Sequence, residues 1–149
     1  MEFGDLPPQL IDAFMRMLNK HLDVAQINLE KERVLFPILA FVNNRDLSTG
    51  QVVPLQPPMA THINSEAALD AAIQILANSY FEKALFSCST KIKMGGADAV
   101  EAIKTVLFDG SGVAVTFFTP YQFKGLFAKR PTYSKNIFNG VMTNFFRRT

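Results

Sequence analysis

Beyond Asp109 the chain has no acidic side chain. The 40 residues from Gly110 to Thr149 carry six basic ones, Lys124, Lys129, Arg130, Lys135, Arg147 and Arg148, a charge of +6. The preceding 109 residues carry 9 basic and 13 acidic side chains, a charge of −4. The net charge of +2 therefore hides a dipolar chain. The tail cannot neutralise itself. Its counter-charges must come from its own acidic half, from an acidic partner or from a phosphate backbone.

Cysteine occurs once, as Cys88, which excludes an internal disulfide and suits a reducing compartment. No N-x-Ser/Thr sequon occurs. The longest apolar run, Val34 to Val42, is nine residues and includes Pro37, whereas a membrane-spanning helix needs about 20. The opening Met-Glu-Phe-Gly-Asp lacks the positive and apolar regions of a secretory signal. A soluble cytoplasmic protein with no membrane span is expected. No internal repeat or low-complexity tract is visible.

Motifs for chemistry are equally scarce. Gly110-x-Gly112 lacks the third glycine of a dinucleotide fingerprint and leads into the strand-like Val113-Ala114-Val115, so it reads as a hairpin turn. No GxxxxGK[ST] occurs. His21, His62 and Cys88 are widely separated, with no HxxxH, HxH or CxxC spacing, so no metal site is assigned. His62 follows Pro57-Pro58 in a loop; His21 is placed near a helix end, where its cationic form is favoured. Cys88 lies on an apolar strand face between Phe86 and Thr90, as a buried inert thiol would. Ser87 and Ser89 read as ordinary strand hydroxyls on the opposite face. Asp98 and Asp109 suit turns, Glu101 a cap or solvent, and Glu66 and Asp70 a solvated helix face. No catalytic residue and no cofactor is assigned.

What is present is a full set of packing patterns. Forty-eight per cent of the residues are hydrophobic, enough for one α+β domain spanning residues 1–149. Asp5-Leu6-Pro7-Pro8 opens a helix whose stripe is Leu10, Phe14, Leu18 and Leu22, running to about His21 and fraying toward Leu29. Val34–Asn43 is a two-sided apolar strand in which Pro37 implies an edge or a bulge. Turn residues Asn43 to Gly50 lead to a short strand Gln51–Leu55, with Pro54 suiting an edge. Ser65 can cap a second helix with the stripe Leu69, Ile73, Leu76 and Tyr80. Ala84 to Met94 alternates, with Phe86, Cys88 and Ile92 toward a core and Leu85, Ser87, Ser89 and Lys91 toward a largely wet face. Gly95-Gly96 turns the chain.

Ala99–Phe108 fits either a capped helix or the first strand of a hairpin turning at Asp109–Gly112. The hairpin is preferred, in a register that sets Phe108 opposite Val113 and Val106 opposite Val115. Val113–Phe123 completes it. The segments LFPILAF (Leu35–Phe41), DAVEAI (Asp98–Ile103) and TPY (Thr119–Tyr121) resemble small uncharacterised bacterial α+β domains. The resemblance covers the middle of the chain, supports a strand over Ala99–Phe108 and implies no activity.

The basic aromatic segment 124–149 is expected to end in a helix capped by Ser134, because Ile137, Val141 and Phe145, and likewise Phe138, Met142 and Phe146, recur every four residues. The expected order is α-β-β-α-β-β-β-α around a mostly antiparallel sheet of about five strands. So wide an apolar arc predicts a covering partner, so the expected function is a non-enzymatic interaction or self-associating module. Its partner is a second copy or an acidic protein, bound by Lys129, Arg130, Tyr133, Lys135, Phe138, Met142, Phe146, Arg147 and Arg148. Nucleic acid ranks below protein, because cations interleaved with aromatics suit base stacking but no recognition motif accompanies them. A small enzyme with an unrecognised site is the third alternative.

Overall fold

Phe14, Met17, Leu18, His21, Ala25 and Leu29 form the buried stripe of helix α1, Pro8–Glu32, in a computed structural model that describes residues 2–55, 63–93, 95–96, 98–125 and 130–145. The stripe steps by three and four, so one face is committed to packing for the whole length, about 37 Å at 1.5 Å per residue. Pro8 starts the helix, where a missing N–H costs nothing. Arg33 ends it in the left-handed conformation, φ 62°, its N–H bonded to the Leu29 carbonyl at 2.8 Å. Helix α2, Ser65–Ala77, begins at Asn64, whose side chain accepts from the Ala67 N–H at 3.1 Å.

Among the described residues seven strands follow: β1 Ile38–Val42, β2 Thr49–Pro54, β3 Lys83–Lys93, β4 Ala99–Asp109, β5 Val113–Gln122, β6 Thr132–Tyr133 and β7 Ile137–Thr143. The main sheet runs β2-β1-β3-β4-β5-β7, and β6 pairs with β5 beyond the end of β7. Every pairing is antiparallel.

The two helices cover opposite faces. Ala68, Ala72, Ile73 and Leu76 of α2 pack with Leu39, Ala84, Phe86, Cys88, Val106, Phe108 and Ala114. Phe14, Met17 and Leu18 of α1 pack with the alternate set, Ala40, Val42, Leu85, Leu107, Val115 and Phe117. Ala25 and Leu29 continue that layer over Ile103 and Tyr121. Because strand side chains alternate, this makes three layers, helix, sheet and helix.

The fold is α+β with a mostly antiparallel sheet, as the sequence implies, but among the described residues it has two α-helices and more strands than expected. Residues 137–143 are not a helix. They form β7 against β5, with an irregularity between Thr116 and Phe117 that leaves Asn139 without a register partner. Ala99–Phe108 is a strand, but slipped by one residue from the expected register: Asp109 faces Val113 and Phe108 faces Ala114. The slip shortens the turn to Gly110-Ser111-Gly112, with Gly112 at φ 103° and its N–H bonded to the Asp109 carbonyl. β1 is interior; Pro37 stands just before it, and its carbonyl accepts from Leu55 N–H. β2, with Pro54, is an edge. Tyr80 lies past the end of α2 and is 95% exposed, so it belongs to no helical stripe.

Two more expectations fail beneath α1. The face bearing Leu85, Ser87 and Ser89 is not wet; all three are buried. His21 is not at a helix end. It is buried in the middle of α1, and desolvation pushes its pKa down to about 4, against the cationic form.

Candidate functional site

The tail aromatics are largely spent on the core. Phe117 and Phe138 meet Phe3 in a trio with centroids 5.6–5.8 Å apart. Phe145 is buried, 5.0 Å from Phe108. Met142 packs against the α2 layer. Each buried aromatic of this kind contributes about 1.5–3 kcal/mol. Phe138 and Met142 therefore serve the chain's own fold, and the structure does not present them as a free apolar arc.

Of the other expected contact residues, Arg130 pairs with Glu30 at 3.7 Å, with its own side chain 84% exposed. A pair so open to water contributes little. Lys135 is exposed. Tyr133, on β6, is half-buried against Ala25, Leu29 and Tyr121. Lys129, Phe146, Arg147 and Arg148 lie outside the described residues, as does His62.

What the structure does bring together is a cleft of about 760 Å³ at the end of the sheet where α1 stops. Four separate segments build it. Arg33 enters from the C-cap of α1, Glu101 from the start of β4, Tyr121 from the end of β5 with Phe123 and Lys124 just beyond it, and Thr132 and Tyr133 from β6 with Ser134 just beyond it. The left-handed turn at Arg33 aims its side chain across the sheet end, and its guanidinium carbon sits 4.0 Å from the Phe123 ring centroid. Phe123 in turn meets Tyr121 edge-on at 6.1 Å.

The wall of the cleft is tied into the α1 layer. Ser89 Oγ accepts from the Leu35 N–H at 2.8 Å and lies 2.9 Å from the Tyr121 hydroxyl. Burial raises the Tyr121 pKa, and Glu101 adds to the rise. Burial pushes the Tyr133 phenol up to about 12, with Glu30 and Tyr121 adding to it. Both phenols are neutral near pH 7 and keep a proton to donate. The Tyr133 hydroxyl has no hydrogen-bond partner. The cleft thus offers two cations, one carboxylate and a ring under a guanidinium, with the Tyr133 hydroxyl buried behind its wall. That set suits binding of a polar, anion-bearing segment.

The reactive groups lie elsewhere. Cys88 is fully buried on the α2 face, and desolvation pushes its thiol up to about 12, with Lys104 pulling weakly the other way. Among the described residues no three His, Cys, Asp or Glu side chains are grouped to hold a metal ion. No helix among them is long and apolar enough to cross a membrane.

Tyr133 and Arg130 were legible as members of a basic aromatic segment. Arg33 and Glu101 were not, because only the chain path places them beside residue 123. Comparison with protein families, curated proteins and solved structures finds no match to this chain.

Proposed function

We propose that the chain is a non-enzymatic interaction module that holds an acidic segment of a protein partner in the Arg33–Tyr133 cleft. The observation that carries this reading is Arg33 laid over Phe123 beside Lys124 in the lining of the cleft. A guanidinium donates to carboxylates, and the Phe123 ring holds the guanidinium in place.

Self-association by edge pairing has less support. The outer chain along β5 is broken between β6 and β7 and again at Asn139, and it carries the exposed Lys135. The opposite edge, β2, ends on Pro54. Bulges, lysine and proline are the devices that keep sheet edges from pairing.

A titration tests the reading. The probe is a short fluorescein-labelled peptide alternating glutamate and alanine, followed by anisotropy against the full chain, with a glutamine counterpart as control. Saturable, salt-sensitive binding of the glutamate peptide alone is expected. Arg33→Ala with Lys124→Ala should weaken it at least tenfold, about 1.4 kcal/mol. Equal signals from the two peptides would contradict the proposal.

A second reading is single-stranded nucleic acid, supported by the cations interleaved with Phe123 and Tyr133. Glu101 in the lining and Glu30 beside Arg130 oppose a polyanion. Binding of oligo-dT or oligo-U in the same assay, without binding of the peptide, would give this reading precedence.

A further inference from the structure

The layer between α1 and the sheet holds polar groups that cleft binding does not use. Ser87 and Thr105 are fully buried register partners on β3 and β4. They lie on the α1 face, between the Leu85–Leu107 pair on one side and the Ser89–Ile103 pair on the other. On α1, Leu18 packs with the first of these pairs and Ala25 packs over Ile103. His21, 6% exposed, is about one turn from each, which puts it at the level of Ser87 and Thr105 along the sheet.

His21 Nε2, Ser87 Oγ and Thr105 Oγ1 are buried and have no hydrogen-bond partner. Tyr133 Oη, also on the α1 side, is the fourth such atom among the described residues, and the α2 layer has none. Buried polar groups left unpaired weaken the contact that buries them. Among the described residues these unpaired groups are confined to the α1 layer.

We propose that α1 is an acid-releasable cover: protonation of His21 detaches it from the sheet before the α2 layer opens, exposing Leu85, Leu107, Val115 and Phe117. Among the described residues no carboxylate lies at the level of the ring; the Ser87 and Thr105 hydroxyls could accept from an imidazolium but carry no charge to offset it. On this face β3 carries Lys83 at one end and Lys91 at the other, and β4 carries Asp109 and Glu101 at its ends. Lys83 and Asp109 pair with each other at 3.4 Å. β1 contributes Ile38, Ala40 and Val42, and β5 contributes Val113, Val115, Phe117, Thr119 and Tyr121. The β1–β2 turn touches α1 where Lys20 donates to the Asp46 carbonyl, and the Asp46 carboxylate is engaged by Ser48. Arg16, Lys20 and Asp23 on α1 itself are exposed.

The sign follows from the burial. The ring titrates at about 4 when covered and near 6.5 when free, so the closed form loses ground as pH falls from about 6.5 to about 4. The open population rises tenfold per pH unit across that window, about 300-fold in all.

Hydrogen exchange of the full chain, corrected for intrinsic rates, tests this between pH 7 and 4.5. Opening of the α1 amides should rise about 100-fold while the α2 amides change far less. His21→Gln should flatten the α1 slope. Parallel slopes for the two helices, or an unchanged slope in His21→Gln, would overturn the proposal. Should that variant not fold, the NMR titration of the His21 ring decides, assigned against His62→Gln. A native pKa near 6.5 overturns the proposal, and one near 4 supports it.

Discussion

The Ser89 hydroxyl stands 2.9 Å from the Tyr121 hydroxyl while accepting the Leu35 N–H at 2.8 Å. One short side chain thus joins β3, β5 and the segment that follows α1, beneath the wall of the cleft. Removing it takes the acceptor from the buried Leu35 N–H and one of the two side-chain partners of Tyr121, Glu101 being the other. Ser89→Ala should cost about 2–4 kcal/mol in urea unfolding, because an unpaired buried donor costs about 1–3 and a lost hydrogen bond about 1. Tyr121→Phe leaves Ser89 with its backbone partner and should cost about 1 kcal/mol. Equal costs for the two variants would show that the serine does not bridge.

Gly110 donates its N–H to the Glu82 carbonyl at 2.8 Å, and a Cβ there would run into the Phe81 carbonyl oxygen. The obstacle is backbone, so it cannot swing aside. Gly110→Ala should destabilise the fold by about 1–3 kcal/mol, the ordinary range for overpacking. Gly95→Ala serves as a contrast, because its Cβ would meet nothing within 4 Å and only the φ of 61° opposes it. Its expected loss is smaller, about 1 kcal/mol.

Phe145 is 2% exposed and packs on Phe108 and Phe81 from beyond the end of β7. Phe145→Ala should cost about 3–5 kcal/mol. Removal of residues 136–149 takes this ring and β7 together, so the truncated chain should lose its cooperative thermal transition. A truncated chain that melts like the full one would mean that β7 is dispensable.

Cys88 should react slowly with a bulky disulfide reagent in the folded protein and fast in denaturant. Its thiol is held up near 12, so the folded-state rate should not climb between pH 7 and 9 as that of an exposed thiol does. A rate that follows an ordinary thiol titration would place the sulfur at the surface.

Several elements were readable from residue pattern alone, and the failures have physical causes. Cys88 was legible because its neighbours Phe86 and Thr90 alternate with polar positions, and the Asp109–Gly112 turn because glycine and aspartate mark it. The hairpin register was not legible, because Val106, Leu107 and Phe108 are all apolar and the sheet is covered on both sides. A slip of one residue then exchanges one buried face for the other. β7 imitated a helix for a related reason. The bulge at Asn139 puts Phe138 and Val141, three apart, on the same α1 face, which a regular strand would not do. Ser87 and Ser89 looked solvated because they are polar, yet α1 covers them, and His21 was placed near a helix end because the stripe of α1 was followed only to about that residue. The cleft is the least legible feature. It depends on residues 33, 101, 121–124 and 132–134 meeting at one sheet end, and no spacing in the chain records that meeting.

Amide chemical-shift mapping with the glutamate–alanine peptide tests the central claim most directly, because it locates contact without assuming the residues. The account predicts saturable shifts confined to Arg33, Glu101, Phe123, Lys124 and Tyr133 and their chain neighbours, with the outer edge of β7 unmoved. Shifts concentrated on β7 or β2, or none in the cleft at saturating peptide, would contradict it.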